Sequence, residues 1–227
     1  MEMPDPPSGF VLGYHLTSFD HGVSDIGLQR LKVARFSEVN DPFELFACDV
    51  KKRRSRTAVT QFKDELDRTH GLLCFSKQWK NPVLWSHYAR GGRGLALGFF
   101  IEKSLGEQGV LDVEYKDEKL KMFRDDQPPI ITPNLQKLLL ATKFKHWEYE
   151  EECRVLVPLS EATPEGRLYF HPFGERLRLS EVVLGPLCSA NVVKSVQQLV
   201  LRMNPGVPVR TARLGYKWFE VKEDRIP

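Results

Sequence analysis

The apolar stretches of this chain are short, and they alternate irregularly with a few helical patterns. Runs rich in aromatic and β-branched residues, which are typical of strands, occupy residues 10–18, 72–76, 94–100, 110–117, 153–158, 167–173, 179–186 and 208–214. Helical patterns cover residues 51–71, 81–92, 134–152 and 189–204. This arrangement predicts one α+β domain spanning residues 1–227, with a mixed or antiparallel sheet, whole or split, flanked by helices.

Several element boundaries can be predicted from the residues that start and stop helices. Residues 20–37 suggest a short helix or turn followed by a second short strand, and Gly71 is expected to end the helix over 51–71. The helix that begins at residue 134 is expected to end near Trp147, after a loop over 125–134 rich in Pro and Asp. Residues 1–9 are predicted to be a flexible tail.

Two further helix starts combine a polar cap with a proline. Asn81 precedes Pro82, and Asp41 precedes Pro42, which suits the first position of a helix. Glu44 follows Asp41 at the distance from which its side chain can reach back to the cap. We therefore expect one helix to start at Asp41 and another at Asn81.

Composition is that of an ordinary globular protein and excludes several classes. Hydrophobic residues make up 41% and charged residues 28%, with a net charge of +3. The N-terminus lacks the pattern of a signal peptide, and no apolar run is long enough to span a membrane. The cysteines form no CxxC pair, which favours reduced thiols in a cytoplasmic protein. They are Cys48, Cys74, Cys153 and Cys188.

A basic stretch, "KKRRSR", begins the helix over 51–71 and could contact nucleic acid. Its cations are Lys51, Lys52, Arg53, Arg54 and Arg56. No aromatic residue lies between them, and acidic residues follow in the same helix. A solvated helix face is the competing interpretation.

In the first predicted strand, His15 and Thr17 point to the same side because side chains alternate along a strand. A histidine beside a threonine at a strand end can form hydrogen bonds with a ligand. The alternative is a core histidine whose ring nitrogens bind backbone groups. The sequence alone leaves both open.

The segment "KHWEYEEECRVLV" concentrates charge before a buried strand. If the strand begins near Glu150, the side chains of Glu150, Glu152 and Arg154 share one face. Two crowded carboxylates raise the pKa of one of them, which suits a general base, and Arg154 would offset the crowding. The alternative is an edge strand with a solvated charged face.

The predicted helix "NPVLWSHYARGG" carries Trp85, His87 and Tyr88 within one turn. Trp85 and Tyr88, three residues apart, share a side and could form a wall against a planar ligand. Aromatic core packing is the alternative. The glycines that follow this helix match no phosphate-binding fingerprint, and the His and Cys residues show no metal-ligand spacing.

Several blocks taken in order resemble a bacterial family, number 2971 of the domains of unknown function. They are "YHLTS", "ARFSEVNDPFEL", "LLCFSKQWKNPVLWSHYARGGRGLALGF", "HWEYEEECRVLV" and "VVLGP". That family implies no established activity.

The order of a histidine, a central aromatic residue and a late glutamate is similar to that of ADP-ribosyltransferases of the His-Tyr-Glu type. The resemblance implies that His15 holds the ribose of NAD and that Tyr88 stacks on nicotinamide, with Phe36 and Ser37 as competitors for that central role. Glu152 or Glu150 would be the catalytic carboxylate.

On the same interpretation, Asn40, Asp41 and Glu44 lie near the pocket mouth. For Asp41 and Glu44 we expect a structural role, and for Asn40 the role is open.

The leading functional hypothesis is therefore an enzyme that transfers ADP-ribose from NAD or splits NAD, without a metal, in phage defence or a toxin system. A non-catalytic module that binds nucleic acid or a protein partner is the first alternative. A nuclease using Glu150, Glu152 and His87 is the second.

Overall fold

An eight-stranded mixed sheet forms the centre of the molecule. The computed structural model describes residues 3–123 and 129–224. The strands are β1 (Phe10–Thr17), β2 (Arg30–Val33), β3 (His70–Ser76), β4 (Leu95–Glu102), β5 (Val110–Asp112), β6 (Glu114–Lys116), β7 (Thr142–Phe144), β8 (Glu152–Pro158), β9 (Thr163–Glu165), β10 (Leu168–Pro172), β11 (Leu177–Leu184), β12 (Val209–Leu214) and β13 (Val221–Glu223). The large sheet has the order β13-β12-β11-β4-β1-β3-β8-β5.

Helices occupy the connections between these strands. They are α1 (Phe19–Leu28), α2 (Arg53–Thr69), α3 (Pro82–Tyr88), α4 (Pro133–Leu140) and α5 (Ala190–Met203), with 3₁₀ turns at Lys145–Glu150 and Leu159–Glu161. As predicted, Asn81 caps α3 by accepting a hydrogen bond from the backbone N–H of Val83. Among the described residues, no helix is both long and apolar enough to cross a bilayer.

The pairing of the strands confirms the predicted fold class. β1 pairs antiparallel with β4 along its whole length, whereas β11 and β12 run parallel. Two smaller sheets, β2-β10-β9 and β6-β7, lie apart from the large one. The fold is therefore α+β with a mixed and divided sheet.

Apolar faces of the large sheet form the main core. Phe75, Phe99, Val155 and Val182, from four of its strands, are each at most 2% exposed. Phe75 and Phe99 meet edge to face, 5.9 Å apart between ring centroids. Burial on this scale fixes the strand positions, so side chains at the strand ends are held in place.

One predicted helix is absent, and another ends earlier than predicted. No helix starts at Asp41, because residues 42–45 form turns in which Asp41 accepts a hydrogen bond from the backbone N–H of Phe43. The helix predicted from residue 134 ends at Leu140 rather than near Trp147. The chain then pairs with β6 as the short strand β7.

Three other boundaries differ from the prediction. Gly71 does not end α2, since the helix stops at Thr69 and Gly71 lies inside β3. The run over 110–117 is two strands, β5 and β6, which belong to different sheets. Of the predicted loop over 125–134, residues 125–128 lie outside the described residues, 129–132 are irregular, and α4 begins at Pro133.

The predicted N-terminal tail contacts the body of the protein in its described part. Met3 packs against the apolar cluster around Trp79 and Trp85, and the carbonyl of Gly9 accepts a hydrogen bond from the backbone N–H of Lys103. The flexibility of residues 1–9 stays a prediction.

Candidate functional site

A cavity of about 250 Å³ opens beside β1, β3 and β8. Six of the residues singled out in the sequence line it: His15, Asn40, Tyr88, Glu150, Glu152 and Arg154. They come from four separate stretches of the chain, and the fold brings them around one space. Glu44, which was expected near the pocket mouth in a structural role, also lines it, as does Lys143, which sequence reasoning missed.

The two candidate carboxylates reach the cavity by an unexpected backbone route. Glu150 ends a 3₁₀ turn, Glu151 adopts a left-handed conformation with φ 43°, and β8 begins only at Glu152. The prediction that Glu150 lies in the strand is therefore wrong. Even so, both side chains converge on Lys143, whose Nζ lies 2.7 Å from Glu150 Oε2 and 2.6 Å from Glu152 Oε2.

Arg154 is completely buried and joins two acidic groups. Its Nε and Nη2 donate to the two oxygens of Glu152 at 3.0 and 2.8 Å. Its Nη1 donates to Glu44 Oε1 at 2.8 Å and to the carbonyl of Leu140, at the end of α4, at 2.9 Å. Since β8 lies between β3 and β5 in the sheet, the alternative of a solvated edge strand is wrong.

These cations determine the ionisation of Glu152. Burial by itself raises the pKa of its carboxyl, but the charges of Arg154 and Lys143 outweigh burial and lower the pKa to about 2. The expectation that crowding would raise a carboxyl pKa here is therefore wrong for Glu152. Glu152 is an ionised carboxylate at neutral pH and is suited to electrostatic stabilisation rather than to proton uptake.

Tyr88 links the mouth of the cavity to Glu150. Its hydroxyl donates a hydrogen bond to Glu150 Oε1 and accepts one of 2.8 Å from the side-chain amide of Asn40. Burial and then the charge of Glu150 raise the pKa of the Tyr88 phenol well above its usual value. The phenol is therefore protonated, and it fixes one oxygen of Glu150 while its ring faces the cavity.

His15 is neutral in this structure. Burial is the main reason why its pKa is lowered. Its Nδ1 lies 3.3 Å from the carbonyl oxygen of Cys74, and a carbonyl only accepts, so Nδ1 carries the proton. Nε2 is consequently free of a proton and can accept a hydrogen bond from a ligand hydroxyl.

Four predicted binding residues do not line this cavity. Thr17 is buried in β1 opposite Leu95, and the backbone N–H of Ser37 donates to Asp67. The indole of Trp85 is buried and donates to the carbonyl of Trp79, which is the core-packing alternative. The fourth residue is His87, whose ring stacks on that of Tyr149.

Lys143 was missed because its segment was assigned to a helix, where it resembles an ordinary surface lysine. The signal in the sequence was weak: Thr142 and Phe144, on either side of it, favour strand over helix. Glu44 was assigned a structural role, and it does pair with Arg154, but it also forms part of the cavity wall.

Acidic groups outnumber cations in the cavity wall. Among the described residues that line it, the carboxylates are Glu38, Glu44, Glu150 and Glu152, and the cations are Lys143 and Arg154. Glu38 is also paired with Lys32 at 2.9 Å. With His15 neutral, the wall favours a ligand group that is positive or becomes positive during a reaction.

The basic stretch before and within α2 is exposed, and it makes local contacts. Lys51 pairs with Asp49 at 3.2 Å, and Arg56 donates to the carbonyls of Val50 and Lys51. Lys52, Arg53 and Arg54 are also exposed. Nucleic-acid binding by this stretch stays a prediction.

The nuclease alternative required Glu150, Glu152 and His87 to act together. His87 does not share the cavity with the two carboxylates. Across residues 3–123 and 129–224, no group of three or more His, Cys, Asp or Glu side chains is arranged to hold a metal ion.

Comparisons with protein-family models, with curated proteins and with solved structures found no match for this chain.

Proposed function

We propose that this cavity binds the nicotinamide riboside end of NAD and cleaves the bond between nicotinamide and ribose. ADP-ribose then passes to a macromolecular acceptor or to water. The observation that carries the proposal is the convergence of His15, Tyr88 and the ionised Glu152 on one cavity.

Charge supports this choice of substrate. The nicotinamide ring of NAD is positively charged, and the ribose becomes positive as the ring leaves. An acidic wall with an ionised, fixed carboxylate stabilises that developing charge, and fixed groups cost no reorganisation during the reaction.

Each residue has a distinct role in the proposed reaction. The C–N bond breaks with its electron pair going to nicotinamide, which leaves neutral, while Glu152 faces the ribose cation. Nε2 of His15 accepts a hydrogen bond from a ribose hydroxyl. A nucleophilic hydroxyl attacks the anomeric carbon and releases its proton to solvent. Glu150, fixed by Tyr88 and Lys143, is the alternative carboxylate for the stabilising role.

The direct test is nicotinamide release. The protein is incubated with NAD, and released nicotinamide is measured by chromatography. In a second assay, labelled NAD and cell extract are added, and transfer of the label to an acceptor is measured. We expect release by the unmodified protein and loss of release in Glu152→Gln. No release and no label transfer under several conditions would refute the proposal.

Ligand binding without chemistry is the second candidate, and one observation favours it. Both oxygens of Glu152 already accept hydrogen bonds from Arg154, and Lys143 lies 2.6 Å from one of them. A carboxylate so fully paired can act as a fixed wall of a binding site. A rise in melting temperature with NAD but no nicotinamide release would support this candidate over the enzyme.

A further inference from the structure

A second cavity, of about 260 Å³, lies next to the first and shares Lys143 with it. Its wall includes Phe43, Phe46 and Phe144 together with Lys116 and Lys119. Lys143 thus belongs to the walls of both cavities.

The turn after Asn40 contributes to both cavities. Glu44 faces the first cavity and Arg154, whereas its neighbour Phe43 and the nearby Phe46 line the second. Between them, Leu45 is fully buried and has a left-handed backbone with φ 66°. Such a conformation is unfavourable for leucine and persists only when the surroundings fix it, as is common at ligand sites.

Two aromatic side chains of the second cavity are unusually exposed. Phe43 is 56% exposed and Phe144 is 41% exposed. The ring of Phe144 also packs against the ring of His146, 4.5 Å away between centroids. Exposed rings beside a cavity suit a planar ligand that stacks on them, as nucleobases do on aromatic side chains.

Both cations of the first cavity, Lys143 and Arg154, are paired with glutamates, whereas the second cavity contains a further cation. Lys119 lies 4.9 Å from the centroid of the Phe43 ring, and no carboxylate in the described residues lies within ion-pair distance of it. Lys116 pairs with Glu114 at 2.9 Å. Phosphate groups, disfavoured by the acidic wall of the first cavity, have a partner here.

Two acids also line this cavity, Asp117 and Glu118. Asp117 is neutralised by Lys145 at 3.2 Å. Glu118 offers an acceptor, which suits the exocyclic amino group of a purine. The wall therefore combines stacking surface, a cation and a hydrogen-bond acceptor.

We propose that the second cavity binds the adenosine diphosphate half of the dinucleotide. The adenine stacks on Phe43 and Phe144, and the phosphates lie near Lys119. This inference rests on the proposed function for its choice of substrate, but it is tested by binding alone.

The experiment is calorimetric titration with ADP, which lacks the nicotinamide half. We expect Phe43→Ala and Lys119→Met each to weaken ADP binding about tenfold, from lost stacking and lost charge. Phe219→Ala and Lys217→Met are matched controls, since Phe219 is fully exposed and Lys217 lies over Trp218 at the far hairpin.

A second readout uses turnover. Phe43→Ala and Lys119→Met should raise the KM for NAD about tenfold and leave cleavage of nicotinamide riboside unchanged, because only NAD reaches the second cavity. Circular dichroism melts identify any variant that fails to fold. If Phe43→Ala fails to fold, Lys119→Met, a change at the surface, provides the test.

The possible outcomes separate this inference from the proposed function. If the protein binds ADP, Phe43→Ala and Lys119→Met weaken that binding, and no nicotinamide is released, the second binding site stands and the proposed NAD cleavage is refuted. NAD cleavage without ADP binding, or ADP binding that both variants leave intact, would overturn the second site and keep the enzyme. Absence of both would refute both.

Discussion

A tyrosine, a glutamate and a cation form a network at two places in this molecule. All three residues of one network line the first cavity, whereas only the tyrosine of the other, Tyr14, does so. The networks are Tyr88–Glu150–Lys143 and Tyr14–Glu181–Arg210. In both, the tyrosine hydroxyl donates to the glutamate and the cation lies within 2.7 Å of the other carboxylate oxygen. Both combine a tyrosine, a glutamate and a cation, so this combination alone does not distinguish a candidate site from a core network.

The surroundings differ. Beside Glu181 the space is filled: a Cβ added at Gly98 would lie 2.9 Å from the Cγ of Glu181 and 3.0 Å from the Tyr14 ring. Beside Glu150 lies the cavity, together with a second carboxylate, Glu152. Open volume and converging charges, rather than the residue types, therefore distinguish the candidate site from the second network.

The largest expected difference between the two regions concerns the carboxylates. Glu152→Gln should reduce nicotinamide release about 100-fold or more, because a fixed charge facing the reacting ribose is lost. Glu181→Gln should leave the rate unchanged. Each change disrupts a buried ion pair, so each should lower the free energy of unfolding by about 3 kcal/mol. Rate assays and urea denaturation measure the two effects. Equal loss of rate in both variants would make the loss a folding effect.

The pH dependence of stability should show the charged pairing of Glu152. Its pKa is about 2 in the folded protein against an ordinary value of 4.5, so the unfolded chain binds more protons between these values. The stabilisation is complete above pH 4.5 and is lost as the pH falls towards 2. Glu152→Gln lacks this contribution, about 3 kcal/mol by linkage.

Urea denaturation in steps below neutral pH measures this contribution. The difference between the unmodified protein and Glu152→Gln should shrink on acidification. A difference that stays constant with pH would mean that Glu152 is not held ionised by Arg154 and Lys143.

Removing the cation should affect the rate in the Tyr88–Glu150–Lys143 network but not in the Tyr14–Glu181–Arg210 network. Lys143→Met should lower the rate of nicotinamide release about 30-fold, since charge-assisted hydrogen bonds that fix both carboxylates are lost. The pKa of Glu152 should also rise, which shifts the acid limb of the rate profile to higher pH. Arg210→Met is the matched change in the Tyr14–Glu181–Arg210 network. It should alter neither the rate nor the acid limb of the rate profile. If the pH–rate profile of Lys143→Met is lower than that of the unmodified protein but has the same acid limb, Lys143 has no role in the ionisation of Glu152.

The smallest effect is expected from the tyrosine. Tyr88→Phe removes one hydrogen bond to Glu150 and one from Asn40, and should lower the rate about tenfold with little change in the KM for NAD. Steady-state kinetics separates the two constants. A tenfold rise in KM at an unchanged rate would instead make Tyr88 a binding residue.

Much of the fold could be predicted from local sequence. Strands such as β1 and β4 are dense runs of apolar and β-branched residues, and α3 and α5 have polar caps that accept the expected hydrogen bonds. The strand order could not be predicted, because β1 lies between β3 and β4 through pairings that no local pattern specifies. Likewise, β7 exists because it pairs with β6, which overrides the helical pattern continuing from α4.

The candidate site, too, could be predicted from local sequence only in part. Glu152 and Arg154 could be placed on one face from strand alternation alone, and they do bond to each other. The contact of Arg154 with Glu44 joins residues 110 positions apart, and only tertiary structure reveals it. Lys143 was hidden by the wrong helix boundary, so its share in lowering the pKa of Glu152 could not be predicted.

The most direct measurement is a crystal structure of the Glu152→Gln variant with NAD. Our account predicts the nicotinamide ribose inside the first cavity, with its anomeric carbon about 4 Å from the side chain at position 152, as a reacting geometry requires. His15 should contact a ribose hydroxyl. NAD bound elsewhere on the protein, or a position 152 still shielded from the ligand by Arg154 and Lys143, would contradict it.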